Sequence, residues 1–130
     1  MRLATVIVCD LNRDLKREHF LRSILFKNAR TPWFGSVDYI EASSVQDRFH
    51  PWLVLVDLGQ NPEQAMAVIP IVKKDTLKPY VIVIGSDESR QLLPRVVELG
   101  ATDILCGDDI PSQLEAAIER IWKTHNKTIA

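Results

Sequence analysis

Cysteine is scarce in this chain: Cys9 and Cys106 are the only two among 130 residues. So few thiols exclude a disulfide-stapled scaffold and fit reduced cysteines in the cytoplasm. Long apolar runs are missing too. None approaches the roughly 20 residues of a membrane span. The short run Val6-Ile7-Val8 near the start is no signal-peptide core. Charge of one sign is also lacking. Sixteen Lys and Arg stand against seventeen Asp and Glu, net −1, with no basic tail or block. A nucleic-acid or membrane surface is therefore not indicated as a partner. No low-complexity segment occurs, nor any repeat with a period of roughly 20–50 residues.

Several chemical signatures are missing as well. No glycine-rich phosphate fingerprint follows the first apolar run, where Asp10-Leu11-Asn12 stands instead, which argues against a dinucleotide enzyme. There is no P-loop. His19, His50 and His125 lie far apart with no Cys or carboxylate at ligand spacing, which argues against a transition-metal site. Ser86 has neither elbow glycines nor a nearby histidine. Together these absences leave carboxylates as the main candidate chemistry.

What is present is a regular alternation. Ala4–Cys9, Pro51–Asp57 and Tyr80–Ile84 are continuous aliphatic runs, read as strands buried on both faces of a parallel sheet. Val37–Ala42 alternates apolar and polar like an edge strand, and Thr102–Cys106 reads as a short outer strand. Helical spacing marks Arg13–Lys27, a short piece after Ser43-Ser44, Pro62–Lys74, Ser89–Leu99 and a last helix opened by Pro111. Asn28–Ser36 reads as a loop because Pro32 and Gly35 punctuate it. Pro70 predicts a kink or break near Val68–Pro70, and Pro94 requires the regular helix to begin beside it. Lys73–Pro79 reads as a connector. Five strands alternating with five helices, joined by right-handed crossovers, make an α/β sheet between two helical layers. A flavodoxin-like order 2-1-3-4-5 and a small Rossmann-like order both fit. In the former, Cys9 and Cys106 stand three strand spacings apart, roughly 14 Å, beyond the ~7 Å reach of a disulfide.

Asp10, Asp57, Asp87, Glu88, Asp108 and Asp109 all fall just after strands, at the sheet edge where α/β proteins gather their chemistry. The last four read as helix caps. Asp10 and Asp57 follow the two central strands. With the Gly59 carbonyl they make an oxygen-rich cup suited to Mg²⁺, in which one carboxylate could take a phosphoryl group. Glycines at three strand mouths, Gly59, Gly85 and Gly107, also leave room for a small ligand.

Pro51–Leu58, with Asp57 at its end, Val81–Ile84, and Leu99-Gly100-Ala101-Thr102-Asp103-Ile104-Leu105 carry a likeness over nearly the whole chain. The sequence resembles the receiver domain of bacterial two-component response regulators. The resemblance implies the flavodoxin-like order 2-1-3-4-5, with Asp57 as phosphoacceptor, Mg²⁺ held by Asp10, Asp57 and Gly59, and no enzyme in the ordinary sense. It implies a sensor histidine kinase or another signalling protein as partner. It also implies a contact or homodimer face on the fourth helix, fifth strand and fifth helix, where Arg90, Arg95, Glu98, Gln113 and Arg120 would lie.

The chain departs from that family at the positions that respond to phosphate. One acid, Asp10, follows Cys9 where two adjacent acids are usual. Gly85 stands where the family carries Thr or Ser, with Ser86 one place late. Ile104 replaces an aromatic, Gly107 the lysine and Asp108 the following proline. Without ammonium and hydroxyl, a phosphoryl group on Asp57 gains little differential contact, and a ligand lacking differential contact shifts no equilibrium. Asp87 and Asp108 would repel phosphate further if they face the cup. The expectation is an atypical receiver-like module, residues 1–125, acting through protein contacts. A polar, frayed tail over 126–130 would be a possible link to an effector domain. The alternatives are a working Mg²⁺-dependent phosphoacceptor at Asp57 and a flavodoxin-like small-ligand binder.

Overall fold

The computed structural model describes residues 4–74 and 78–129, with side chains as far as Asn126. Five strands, β1 (Ala4–Cys9), β2 (Trp33–Asp38), β3 (Pro51–Asp57), β4 (Tyr80–Ile84) and β5 (Asp103–Leu105), form one sheet in the order β2-β1-β3-β4-β5. Every pairing is parallel. The expected flavodoxin-like architecture is therefore the one observed. Around the sheet lie α1 (Leu15–Phe26), α2 (Val45–Phe49), α3 (Pro62–Lys73), α4 (Leu93–Glu98) and α5 (Ile110–Ile129). Two 3-10 helices, Tyr39–Ser44 and Asp87–Leu92, precede α2 and α4.

Side-chain alternation explains the two layers. Successive strand residues point to opposite faces. Val6, Val8, Val54, Val56, Val81 and Val83 share one core with Ala65, Met66, Val68, Ile69 and Val72 of α3. Ile7, Leu53, Leu55, Ile82 and Ile84 share the other with Leu21 and Leu25 of α1 and Leu114, Ile118 and Ile121 of α5. Every residue of β3 is buried, as its unbroken aliphatic run requires of a central strand. At the start of the strands, Trp52 meets Trp122 edge to face at 5.4 Å between ring centroids, and Tyr80 and His125 complete an aromatic group.

Three elements differ from the sequence expectation. The second strand is Trp33–Asp38, displaced toward the N-terminus from Val37–Ala42, so the last four residues of the expected loop, Trp33 to Ser36, are strand. Gly35 is the reason. A β-carbon there would lie 2.6 Å from the Phe49 ring, which packs over the bare backbone. Trp33 is half-exposed on this edge strand while Phe34 packs on the core. Second, α3 continues through Pro70 without a break; the proline ring faces solvent, while the flanking Val68, Ile69 and Val72 are buried. Third, α5 runs to Ile129, past His125, where a frayed tail was expected. As Pro94 required, regular helix begins only at Leu93. The expected connector falls partly outside the described residues, at 75–77. Among the described residues no helix is long and apolar enough to cross a membrane.

Candidate functional site

Asp57 ends β3 on the face that carries Leu53 and Leu55, the face covered by α1 and α5. It is 3% exposed. Its carboxylate accepts a hydrogen bond from Arg17 Nε at 3.1 Å, an ion pair across forty residues of sequence. Its main-chain carbonyl accepts a short hydrogen bond from the buried Tyr39 hydroxyl. Burial pushes the Asp57 carboxyl above the ordinary carboxylate range, the Arg17 charge and hydrogen bond pull it back, and Asp14 raises it again. The buried carboxylate is thus costly, and Arg17 is the group that offsets the cost.

Arg17 was not singled out by sequence reading, because its partner is remote and helical periodicity says nothing about it. It sits in the first turn of α1, three residues after the N-cap Asp14, whose side chain accepts from the Arg17 backbone N–H. A cation in the first helical turn opposes the helix dipole. That misplaced charge was the available signal. The guanidinium also lies over the Phe20 ring, 5.2 Å from its centroid.

Asp10 does not join this pair. Val8 pairs with Val56, so Cys9 stands level with Asp57 and Asp10 lies one residue further out. The Asp10 carboxylate accepts from the Arg13 backbone N–H at 3.1 Å and shapes the turn before α1. Asp38, at the end of β2, holds the same turn by accepting from Leu11 N–H at 3.0 Å. Gly59 takes φ of +56°, and a β-carbon there would lie 3.2 Å from the Tyr39 hydroxyl. Among the described residues no group of three His, Cys, Asp or Glu side chains could hold a metal ion. The Mg²⁺ implied by the resemblance needs several oxygen donors. One Asp57 oxygen is already given to Arg17 and one Asp10 oxygen to a backbone N–H, so the donors, as arranged, do not fit a divalent ion.

The altered positions are filled in specific ways. Gly85 is buried, and a β-carbon on it would meet Ser89 at 3.0 Å and Leu58 at 3.2 Å. The buried Ser89 hydroxyl stands where a side chain at 85 would be, and it accepts from the Ser86 N–H at 3.3 Å. Ser86 itself is exposed. Ile104 is half-buried and packs against the core that holds Val81 and Val83. Gly107 has φ of +88°, with Asp87 Oδ1 3.3 Å and Arg90 3.5 Å from the position of a β-carbon. A lysine there would be strained in backbone and crowded in side chain. A cleft of about 680 Å³ opens over Asp57, lined by Arg17, Gly59, Gly85, Ser89 and Gly107. The further acids on its wall are Asp14 and Glu88, whereas Asp87 is paired with Arg90 at 2.9 Å.

On the expected contact face, Arg95 reaches away to Glu63 of α3 in a two-pronged pair at 2.8 and 3.1 Å. Arg120 pairs with Asp103. Gln113 donates to the Cys106 carbonyl at 2.9 Å and so holds the loop between β5 and α5. Glu98 is exposed. Both cysteines are free. Burial and the nearby carboxylates push the Cys9 thiol up to about 12.

No protein-family model and no curated protein matches the chain. Solved structures do. The N-terminal domain of a Wolinella succinogenes protein superposes with a TM-score of 0.77 at 22% identity, covering 98% of this chain and 99% of that one. A response-regulator signal receiver domain from Bermanella marisrubri gives 0.74 at 20% identity, covering 91% and 96%. The N-terminal signal receiver domain of a two-component response regulator from Bacteroides fragilis gives 0.71 at 19% identity, covering 92% and 97%. The chain therefore has the receiver fold.

Proposed function

We propose that this chain is an atypical receiver-like module of phosphorelay signalling, in the cytoplasm, that acts through protein contacts instead of an acyl-phosphate switch. The fold and its solved neighbours support the receiver part of this reading. One observation carries the atypical part: Asp57, at the phosphoacceptor position, is buried and already paired with Arg17. Phosphorylation would exchange that pair for a bulkier dianion in a cleft whose wall also carries Asp14 and Glu88. Neither a hydroxyl at 85 nor a lysine at 107 is there to receive it. Its partner is a sensor histidine kinase or another signalling protein, and the α4–β5–α5 face is the proposed contact and homodimer surface.

Titration with beryllofluoride and Mg²⁺, followed by amide NMR, tests this. The expected result is no change at Leu58 and Gly59. A saturable change there that Asp57→Asn abolishes would restore the working phosphoacceptor. A second reading, a small-ligand module, has the cleft over Gly59, Gly85 and Gly107 in its favour. A ligand retained in native mass spectrometry, and lost when the cleft is blocked by Gly85→Val, would replace the first reading with it.

A further inference from the structure

We propose that the Arg17 guanidinium is the resident cation of the cleft, occupying the role of a divalent ion at Asp57, so that a divalent-cation site opens only when Arg17 is removed. This rests on the receiver-like reading of Asp57. Four observations support it. Arg17 Nε is bound to Asp57 Oδ1 at 3.1 Å, with the carboxylate side chain 5% exposed and the arginine 26% exposed. The arginine is fixed from three directions, by Asp57, by the Phe20 ring beneath the guanidinium, and by Asp14 through its backbone N–H. Its place in the first turn of α1 opposes the helix dipole, so the helix terminus itself does not account for a cation there. Finally, the cleft wall carries Asp14, Asp57 and Glu88 but a single cationic side chain, Arg17, among the described residues.

The charge balance follows directly. With Arg17 in place, Asp57 is neutralised, and an incoming dication meets a guanidinium at the carboxylate oxygen it needs. Without Arg17, Asp57 is a buried, uncompensated carboxylate, with Asp10 one residue past the end of the neighbouring strand, where its carboxylate accepts from the Arg13 backbone N–H. Removing the positive neighbour takes away a Coulomb repulsion at close range. That change is expected to tighten divalent binding by at least about tenfold. The arginine thus withholds the Asp57 carboxylate from a metal ion.

The test uses Mn²⁺ alone, read as paramagnetic broadening of backbone amide signals in the full chain. In the wild type, Mn²⁺ leaves Leu11, Leu58 and Gly59 no broader than distant surface amides. In Arg17→Met those signals broaden selectively and saturably, and adding Asp57→Asn removes the effect. Arg17→Gln keeps a hydrogen-bond donor for Asp57 without the charge, and gains the same broadening; it serves if Arg17→Met does not fold. Selective broadening in the wild type, or none in any folded Arg17 variant, overturns the inference. The outcome is separable from the functional reading. If Mn²⁺ broadens Leu58 and Gly59 in the wild type while beryllofluoride with Mg²⁺ leaves it unchanged, the role of Arg17 fails and the functional reading stands.

Discussion

Replacing Arg17 by methionine removes the guanidinium and keeps an unbranched stem to pack on Phe20. The partner left behind, Asp57, has a side chain only 5% exposed. Breaking a fully buried ion pair from one side costs about 3–5 kcal/mol. Arg17 is itself 26% exposed, so water screens the pair and enters the vacated space, and a loss of about 2 kcal/mol near neutral pH is the expected figure. Over 130 residues, an unfolding entropy of about 2.1 cal/mol/K per residue turns that loss into a fall in Tm of roughly 7 °C. The pH dependence supplies the sharper test. Burial already raises the Asp57 carboxyl and Arg17 lowers it, so its loss raises the folded-state value further. A carboxyl with a raised folded pKa contributes stability below its unfolded pKa, and loses that contribution as pH rises through the folded pKa. The deficit of Arg17→Met is therefore largest at neutral pH and shrinks as pH falls into the carboxylate range. Urea denaturation, followed by circular dichroism near neutrality and at about pH 5, measures it. In an Asp57→Asn background the same substitution should cost less than about 0.5 kcal/mol. An equal loss in both backgrounds, or a deficit that ignores pH, refutes the ion-pair account.

Other perturbations follow from the same geometry. Gly35→Ala drives a methyl group into the Phe49 ring, 2.6 Å away. It should cost about 1–3 kcal/mol in denaturant midpoint analysis, most of it recovered when Phe49→Leu is added. Tyr39→Phe strips the hydroxyl from the Asp57 carbonyl and should cost about 1–3 kcal/mol. An unchanged unfolding midpoint would remove that bond from the account. In the native protein at mildly alkaline pH, a thiol reagent should modify Cys106 and spare Cys9, which is buried with its pKa pushed up to about 12. In urea both should react, and equal native rates would contradict the burial of Cys9.

The sheet was legible because its three inner strands are unbroken aliphatic runs, and such runs have no other use in a chain of this length. The strand order came from the likeness to receivers, since periodicity left two orders open. The second strand was misplaced because Pro32 and Gly35 carry turn signals. The glycine is there for the Phe49 ring, a contact fourteen residues along the chain that no local pattern encodes. The site was half legible. Asp57 announced itself as a carboxylate after a buried strand, and Gly85 and Gly107 as losses against the family pattern. Arg17 and Ser89 were hidden, since each acts by position in space. Ser89 looked like the start of a helix, yet its hydroxyl fills the room left by Gly85. Asp10 was grouped with Asp57 by strand order, but the parallel register sets Cys9 at the level of Asp57.

The aromatic group at the start of the strands has an optical consequence. Trp33 and Trp52 lie near the beginnings of β2 and β3, and Trp122 packs on Trp52 from the later turns of α5. Every indole in the chain therefore sits at the end of the sheet opposite Asp57. Intrinsic emission and the near-ultraviolet circular dichroism of the edge-to-face pair become a gauge of how α5 is seated. The same signals are silent about the cleft, so the two ends of this small protein can be followed by separate light and magnetic readouts in a single sample.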